Sequence, residues 1–436
     1  MNKISEKTDI QNFIQFLKEN NIYQFHFVYN QSNKKVESSH KELQFISDFI
    51  NSDKRDFEEH EGMFFQLTDK FDVLQGAFVH RTKRGQAAGG VRFWQYDTIE
   101  EYFRDGMRLA KGMTHKNALA GLWWGGGKGV MVHNTEIDKQ NIDYREYIYT
   151  EYGKLLTHLN GCYVTAEDVG TSVEDMANIY KSTRFTTCIP DYVGGSGNPS
   201  EPTSRGVLAG MEAALAFKDE TLAGKTIAVQ GMGHVAEPLI GHLFDKGVEK
   251  VFAADINPDV VNSVKKKFAD KNLEVRVAEK GDNSILFEEV DIVAPCATGA
   301  VLNENTIPKI QAGIICGAAN NQLEDHDRDD KAIAEKDIIY VPDFLNNRMG
   351  IVNCANEQYG YVNDDDFIER HLLKDWKNGV YQTTLSVLKE AKETGQPTSR
   401  VAIKQATDMS MELHPIFGHR SQKIINSLVK DKWFEK

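Results

Sequence analysis

Cysteine is scarce in this chain of 436 residues: its five copies lie far apart, and no two of them form a CxxC pair. This pattern indicates neither a zinc site nor a disulfide framework, so we expect no metal site. An odd number of separated thiols is typical of a reducing compartment, which favours a cytoplasmic location. The five residues are Cys162, Cys188, Cys296, Cys316 and Cys354.

Long apolar runs and an excess of positive charge are also missing. Nowhere do about 18 apolar residues follow one another, which argues against a membrane-spanning helix. Residues 1–10 carry charges of both signs, unlike the apolar core of a secretory signal. The formal net charge of −13 argues against a nucleic-acid partner, because neutralising phosphates needs a basic surface. The longest basic run, Lys265-Lys266-Lys267, has acidic residues nearby and indicates a solvated helix face.

Two domains are expected from the length, because 436 residues exceed what one ordinary hydrophobic core supports. Hydrophobic residues make up 41% and charged residues 26% of the sequence, a balance typical of globular proteins. Residues 1–60 are polar and rich in Asn, Lys and Glu, with one amphipathic stretch. We expect them to form an appended N-terminal segment that is helical or partly mobile.

The order of predicted elements differs between the two halves of the chain. Alternating apolar stretches within residues 63–80 predict paired strands, and helices are predicted over residues 98–112 and 204–218. Further along, strands alternate with helices, which favours a parallel sheet with right-handed crossovers. Residues after about 350 are predicted to be helical. The predicted strands of the parallel sheet are residues 226–229, 250–254, 275–278, 292–294, 313–316 and 338–341.

A strand, a glycine turn and a helix are predicted in succession from residue 226. The turn reads GMGHVA, in which Gly231 would make the tight turn and Gly233 would let the backbone approach a pyrophosphate. The next predicted strand ends in Asp255, about 20 residues further on, where a carboxylate would accept hydrogen bonds from ribose hydroxyls. Since that charge would repel a 2′-phosphate, NAD is favoured over NADP. The alternative interpretation is a surface acid at a strand end.

Two lysines and one aspartate stand out in glycine-rich surroundings, although lysines beside glycines are usually solvated loop charges. Lys116 lies in a mostly apolar stretch, Lys128 follows two tryptophans and three glycines, and Asp168 belongs to the polar turn TAEDVG. Desolvation and a neighbouring like charge both favour the neutral form of a buried lysine and lower its pKa. Such a lysine suits acid–base chemistry near neutral pH.

The motifs around these residues resemble those of the glutamate/leucine/phenylalanine/valine dehydrogenases, and most of all the leucine dehydrogenase branch. The resemblance runs from about residue 61 to at least residue 361. It implies an oxidoreductase that converts an L-amino acid with NAD to its 2-oxo acid and ammonia, and the reverse. The motifs are HRTKRGQAAGGVRF, RLAKGMTHKNALAGL, GGGKGV, TAEDVGTSVEDM, SGNPSEPTSRGV, GMGHVA, APCATGAVLN, GAANNQL and PDFLNNRMGIVNCANEQYGY.

The resemblance also implies an α/β architecture of two domains with a cleft between them. Residues 61–204, completed by C-terminal helices at about residues 350–436, would form an N-terminal α/β domain for substrate binding and oligomerisation. Residues 205–349 would form a Rossmann-type NAD-binding domain. The expected partners are the amino acid, the 2-oxo acid, ammonia and further copies of the chain in a homo-oligomer.

Individual roles follow from the resemblance, position by position. Lys116 resembles the lysine that binds the substrate carboxylate together with the backbone of Gly89 and Gly90. Lys128 resembles the catalytic lysine, which polarises the 2-oxo group and activates water, and Asp168 resembles the acid that relays protons. Further substrate-binding residues implied are Ala88, Asn321, Asn347, Ile351 and Cys354. The implied cofactor-binding residues are Thr203, Gly231, Gly233, His234, Val235, Asp255, Ile256, Cys296, Ala297 and Asn320.

Several positions depart from the family pattern. Glutamate dehydrogenases carry a lysine before the Gly-Gly pair and leucine dehydrogenases a leucine, whereas this chain has Ala88, which predicts a larger apolar pocket. Ile351 and Cys354 resemble the pocket wall and disfavour an acidic substrate. Bulky residues replace smaller ones at Arg348-Met349 and Trp123-Trp124, and we expect them to narrow or reshape the entrance.

Oxidative deamination of a nonpolar L-amino acid, branched-chain, aliphatic or aromatic, is therefore the leading hypothesis. A glutamate dehydrogenase is the first alternative, because GKGV is nearer to that branch. A non-catalytic relative that binds a nucleotide is the second, motivated by residues 1–58 and by Arg348-Met349.

Overall fold

The computed structural model describes residues 4–360 and 366–435. The chain divides into two compact units. The first comprises residues 1–198, 357–361 and 407–436, and the second residues 199–356 and 362–406. These boundaries differ from the expected ones, because residues 362–406 group with the second unit instead of completing the first. Within the described stretches, no helix has the length and apolar character needed to cross a membrane.

The first unit is built on an eight-stranded mixed sheet of order β2-β1-β3-β4-β7-β5-β8, with β6 pairing with β7. The strands are β1 (Gln24–Asn30), β2 (Lys35–Ser38), β3 (Gly62–Leu67), β4 (Leu74–Arg81), β5 (Ala87–Ala88), β6 (Val91–Trp94), β7 (Gly125–Val132) and β8 (Tyr163–Val164). Its first helices are α1 (Ile10–Glu19), α2 (Gln44–Ser52), α3 (Ile99–Leu119), α4 (Ile142–His158) and α5 (Val173–Tyr180). The predicted pairing of residues 63–80 is present as antiparallel β3 and β4.

Residues 4–60 are part of this unit and not an appended segment. Strand β1 pairs with β3, and Phe25 of β1 stacks on Phe65 of β3 with ring centroids 4.9 Å apart. Helix α1 buries one apolar stripe, which includes Phe13 and Leu17, in the same core. The C-terminal end also packs here, since Trp433 Nε1 donates a hydrogen bond to His26 Nδ1 at 3.0 Å. The polar composition of residues 4–60 gives no sign of these long-range contacts.

Helix α3 begins as predicted, with the Thr98 side chain accepting a hydrogen bond from the Glu101 amide. It does not end at Gly112, however, and continues to Leu119. A glycine weakens a helix by only about 1 kcal/mol, and the buried far end of α3, including Ala118 and Leu119, packs firmly enough to offset that cost.

The second unit contains a six-stranded parallel sheet of order β11-β10-β9-β12-β13-β14, which confirms the predicted α/β alternation. Strand β9 lies in the middle, with β10 on one side and β12 on the other, the strand order of a Rossmann-type sheet. The strands are β9 (Thr226–Gln230), β10 (Lys250–Asp255), β11 (Leu273–Val277), β12 (Ile292–Pro295), β13 (Ile314–Ile315) and β14 (Ile339–Tyr340).

Helices connect several of these strands, and the described part of the chain beyond about residue 350 is mostly helical, as predicted. They are α6 (Ser200–Ala216), α7 (Ala236–Asp245), α8 (Pro258–Lys267), α9 (His326–Glu335), α10 (Asp343–Asn346), α11 (Met349–Tyr359), α12 (Asp366–Leu372), α13 (Val380–Thr394), α14 (Thr398–Ser410) and α15 (Arg420–Lys430).

Candidate active site

The Gly89-Gly90 pair lies where one strand of the first unit is interrupted. Strands β5 and β6, on either side of the pair, both run parallel to β7. Ala88 is in register with Gly126 and Val91 with Gly129, so Gly90 lies level with Lys128. The register therefore brings the predicted carboxylate-binding backbone next to the predicted catalytic lysine.

Close packing explains the run of glycines that precedes Lys128. A Cβ at Gly126 would lie 2.0 Å from Thr114 Oγ1 of α3, and one at Gly127 would meet the ring of Tyr163 at 2.7 Å. A Cβ at Gly89 would lie 2.0 Å from the carbonyl oxygen of Gly127. Backbones approach this closely only where side chains are missing. The glycines thus let α3 and β5 press against β7 around the lysine.

One buried charged cluster contains Lys128 of β7, Arg92 of β6 and Asp168 in the segment that follows β8. Lys128 Nζ lies 2.9 Å from Asp168 Oδ1, and Arg92 Nε lies 3.3 Å from Asp168 Oδ2. Their side chains are only 4%, 16% and 17% exposed for Lys128, Asp168 and Arg92. Arg92 also pairs with Asp105 of α3 at 3.0 Å. Two cations therefore share two carboxylates in a largely water-free setting.

The electrostatics of the cluster follow from this geometry. Burial alone would raise the pKa of Asp168, but the charges of Lys128 and Arg92 outweigh it and hold that pKa well below its usual range. For Lys128, burial and the nearby Arg92 lower the pKa, although Asp168 partly offsets them. The arrangement keeps Asp168 ionised and makes the neutral amine of Lys128 more accessible than in a solvated lysine.

The other predicted substrate residues of the first unit lie close by. Lys116 is half-buried, in the last turn of α3. Its neighbour Asn117 donates hydrogen bonds to the carbonyl oxygens of Gly125 at 2.6 Å and Ala88 at 3.2 Å, which ties α3 to β7 and β5. Ala88 itself is buried, at 1% exposure. The small side chain at this position is therefore part of the packed region beside the Gly-Gly pair.

Arg92 and Asp105 are the charged residues of the cluster that the sequence analysis missed. Arg92 stands inside the motif HRTKRGQAAGGVRF, and an arginine within a predicted buried stretch is a signal that it has acidic partners. Its partners could not be identified, because Asp168 and Asp105 are remote in sequence and on different elements.

In the second unit, the glycine turn has the geometry of a dinucleotide site. Gly231 has a positive φ of 87°, and its Cβ would crowd Ala297 at 2.9 Å. Gly233 is exposed, and no described atom lies within 4 Å of its Cβ position, which leaves room for a ligand at the start of α7. His234 is exposed and Val235 half-buried at the same helix start. These features fit a pyrophosphate.

Asp255 lies at the end of β10, next to this turn. Its Oδ2 accepts a hydrogen bond from the Met232 amide at 2.8 Å, and its Oδ1 accepts one from the Asn257 amide at 2.9 Å. The carboxylate is thereby oriented toward the glycine turn while remaining half-exposed. The following residue, Ile256, is 60% exposed at the same edge of the sheet.

Further predicted cofactor residues surround the carboxyl ends of the strands. The Cys296 amide donates to the Gln230 carbonyl at 2.8 Å, which fixes the exposed Ala297 opposite the glycine turn. Burial raises the pKa of Cys296 to about 12, so this thiol stays protonated. Thr203 is buried on α6, with its hydroxyl donating to the Pro199 carbonyl at 2.8 Å.

Two of the three predicted asparagines are hydrogen-bonded to each other, and the third is bonded to Asp343. Asn347 Nδ2 donates to Asn320 Oδ1 at 2.8 Å and to the Ala318 carbonyl at 3.0 Å. Asn321 has a positive φ of 53°, and its amide donates to Asp343 Oδ2 at 2.6 Å. Asn347 thus supports the loop that carries Asn320 and Asn321.

The bulky departures from the family pattern are taken up by packing. Arg348 is fully buried, and its guanidinium donates to the Asn378 carbonyl and to Thr383 Oγ1 of α13. Burial lowers the pKa of Arg348 to about 9. Met349 packs near Gly206 of α6, and the predicted wall residues Ile351 and Cys354 are buried on α11. The side chains at 348–349 therefore occupy the interior of the second unit.

The tryptophan pair packs in the first unit. The guanidinium of Arg84 lies 4.2 Å from the centre of the Trp123 ring, and the ring of His414 lies 5.5 Å from it. Trp124 is buried. Trp123 thus contacts the C-terminal stretch at His414.

Comparison with known proteins assigns most of the chain to a family. Residues 64–185 match the family described as Glu/Leu/Phe/Val dehydrogenase, dimerisation domain, and residues 194–413 match Glutamate/Leucine/Phenylalanine/Valine dehydrogenase. The chain belongs to this family. It is an amino-acid dehydrogenase, with the two-domain α/β fold that the sequence motifs predicted.

Several relatives are similar over most of their length. A leucine dehydrogenase of Thermoactinomyces intermedius is 41% identical over 87% of this chain and 98% of its own. A valine dehydrogenase of Streptomyces coelicolor is 39% identical over 77% and 88%. Among solved structures, the L-tryptophan dehydrogenase of Nostoc punctiforme superposes with a TM-score of 0.64, at 33% identity over 80% of this chain and 96% of the other.

This dehydrogenase has no group of three or more potential metal ligands within residues 4–360 and 366–435. The residues singled out from the sequence fall into two groups, one in each unit. The first unit contains Lys116, Lys128, Asp168, Ala88, Gly89 and Gly90. The second unit contains the glycine turn with its neighbours, the asparagines, Ile351 and Cys354.

Proposed function

We propose that this amino-acid dehydrogenase deaminates a nonpolar L-amino acid with NAD, yielding the 2-oxo acid and ammonia, and catalyses the reverse reductive amination. The observation that carries the proposal is the buried Lys128–Asp168 pair, 2.9 Å apart, beside the Gly-Gly interruption. Relatives named leucine, valine and phenylalanine dehydrogenase, at 36–41% identity, support the class of substrate. Ala88 supports it further, because it supplies no charge for a side-chain carboxylate.

The roles in the first unit follow from charge and burial. Lys116 and the Gly89-Gly90 backbone bind the substrate carboxylate. Lys128 takes a proton from the substrate or water in its neutral form, and as an ammonium it polarises the 2-oxo group. Asp168 relays protons while amine and water exchange at the reacting carbon. A low-polarity setting strengthens each of these interactions relative to water.

The cofactor role belongs to the second unit. NAD, when bound, accepts the hydride from the substrate Cα in oxidation. Gly231, Gly233, His234 and Val235 hold the pyrophosphate at the start of α7, and Asp255 binds the ribose hydroxyls. The preference for NAD over NADP rests on the charge of Asp255, which opposes a 2′-phosphate. The remainder of the cofactor site is lined by Thr203, Ile256, Cys296, Ala297 and Asn320. The substrate amino group is held near the nicotinamide by Asn321 and Asn347.

The chain forms a homo-oligomer in this proposal, because residues 64–185 match a domain described as a dimerisation domain. No nucleic acid and no membrane is required as a partner.

A panel of 2-oxo acids tests the proposal. We expect NADH oxidation with ammonia and the oxo acids of leucine, valine, phenylalanine or tryptophan, and at least tenfold lower kcat/KM with 2-oxoglutarate. If 2-oxoglutarate were the best substrate by tenfold, the inference from Ala88 would be wrong and the chain would be a glutamate dehydrogenase. Retained NAD binding without turnover on any substrate would favour the non-catalytic alternative.

A further inference from the structure

The backbone of the Gly-Gly interruption is hydrogen-bonded to the strands on either side of it, with one exception. The Gly89 amide donates to the Val164 carbonyl of β8 at 3.2 Å, and the Gly90 carbonyl accepts from the Gly129 amide of β7 at 3.1 Å. Gly90 is buried, but its amide donates to none of the described residues. A buried amide needs a partner. In the proposed function, this partner is the substrate carboxylate.

The Gly89 carbonyl belongs to the same peptide group as the Gly90 amide and is bonded to a tyrosine side chain. Tyr163 of β8 is fully buried, and its hydroxyl donates to the Gly89 carbonyl at 2.6 Å. The same hydroxyl oxygen lies 3.2 Å from Thr165 Oγ1. Burial raises the pKa of Tyr163, so the hydroxyl keeps the proton that it donates.

This hydrogen bond fixes the direction of the Gly90 amide. A peptide group is planar and trans, so its carbonyl oxygen and its amide hydrogen point in opposite directions. Two glycines in succession would otherwise leave the peptide group between them free to turn, because glycine permits many backbone conformations. The ring of Tyr163 is itself held in place by β7, where a Cβ at Gly127 would lie 2.7 Å from it.

We propose that Tyr163 is a positioning residue for the substrate carboxylate: its hydroxyl holds the Gly89–Gly90 peptide group so that the Gly90 amide faces the carboxylate. The inference rests on the proposed function, in which Lys116 and this backbone bind the carboxylate. Tyr163 does not touch the substrate. Because the carboxylate keeps its charge from substrate to transition state, the contact stabilises both alike and should affect KM more than kcat.

Tyr163→Phe tests the proposal, because it removes the hydroxyl and keeps the ring. We expect KM for the amino acid and for its 2-oxo acid to rise about tenfold, the order expected when a buried hydrogen bond is lost. Isocaproate, which has the carboxylate but no reacting group, should compete with the 2-oxo acid about tenfold more weakly for the same reason. The value of kcat should stay within about threefold of the wild type, and NADH binding measured by fluorescence should not change.

Tyr149→Phe is the matched control. Tyr149 of α4 is also fully buried, but its hydroxyl has no hydrogen-bond partner among the described residues. Its kinetic constants and its thermal unfolding should match those of the wild type. Lys116→Ala is the reference for the carboxylate site and should raise the same KM, because it removes the proposed cation.

The outcomes separate the inference from the proposed function. An unchanged KM in Tyr163→Phe, while Lys116→Ala raises it, would overturn the inference and leave the proposed function intact. An equal rise in Tyr149→Phe, or a joint loss of kcat and NADH binding in Tyr163→Phe, would also overturn the inference, since either would indicate a structural role. If Lys116→Ala left KM unchanged, the proposed carboxylate site would be wrong and the inference would fall with it.

Discussion

Replacing Lys128 with methionine removes the charge of the candidate catalytic lysine while keeping a flexible chain of similar length. In the folded protein, the Lys128 ammonium lies 2.9 Å from Asp168 and is almost fully buried. Its loss removes both a charge at the reacting carbonyl and a proton acceptor. Each of these contributions is worth roughly 10²-fold to 10³-fold or more in kcat.

The two contributions come from one group and do not simply multiply. We therefore expect kcat to fall by at least about 10³-fold, equivalent to about 4 kcal/mol of transition-state stabilisation. The fold should survive, because Asp168 keeps Arg92 as a partner at 3.3 Å and is not left as an unpaired buried charge. NAD affinity should change by less than about twofold, since the residues assigned to NAD lie in the other unit and Lys128 is not among them.

Steady-state rates with the best substrate, NADH binding followed by fluorescence, and thermal unfolding measure the three quantities separately. Lys154→Met is the matched control: this lysine is exposed on α4, pairs with Glu151 at 2.6 Å, and should tolerate the change without loss of rate. A kcat of Lys128→Met within tenfold of the wild type would contradict the catalytic role of this lysine. Equal losses of NADH binding and turnover would assign Lys128 a structural role.

Two further substitutions test the cofactor site and the packing of the glycine turn. Asp255→Ala should weaken NAD binding by about tenfold or more, because a charge-assisted acceptor is lost. It should also lower the ratio of kcat/KM with NAD to kcat/KM with NADP. An unchanged ratio would contradict the role assigned to Asp255. Gly126→Ala should cost about 1–3 kcal/mol in urea unfolding, because its Cβ would meet Thr114 Oγ1 at 2.0 Å. Gly112→Ala is the control, because no described atom lies within 4 Å of a Cβ at Gly112. This substitution should stabilise α3 by up to about 1 kcal/mol. Similar losses of stability in both variants would contradict the role of close packing at Gly126.

The parallel sheet was predictable because strand and helix periods are local properties of the sequence. Five of its strands begin within one residue of the prediction, and β11 begins at Leu273 instead of residue 275. The packing of residues 4–60 was harder to predict, since their polar composition gives no sign of their long-range contacts. Two of these contacts are the stacking of Phe25 on β3 and the packing of Trp433 beside β1. The far end of α3 was missed for the same reason: a glycine is a poor helix former locally, and only packing on β7 sustains the helix beyond it.

The candidate site shows the same division. Lys128 and Asp168 could be singled out because their motifs are long and specific to the family. The pairing of Asp168 with Arg92, and of Arg92 with Asp105, depends on strand register and on the position of α3. Arg348 was expected near the site entrance, but the structure packs it against Thr383 in the interior of the second unit.

By itself, the sequence determined the family, the α/β class and the chemical types of residue available at the site. These follow from motif order, periodicity and side-chain identity, which need no knowledge of distance. Only the tertiary structure decided which charges share a buried space, and therefore that Lys128 has a lowered pKa and that the buried Oε2 atom of Glu167 has no hydrogen-bond partner among the described residues. A protonation state depends on desolvation and on the distance to other charges, and both arise when residues remote in the chain pack together.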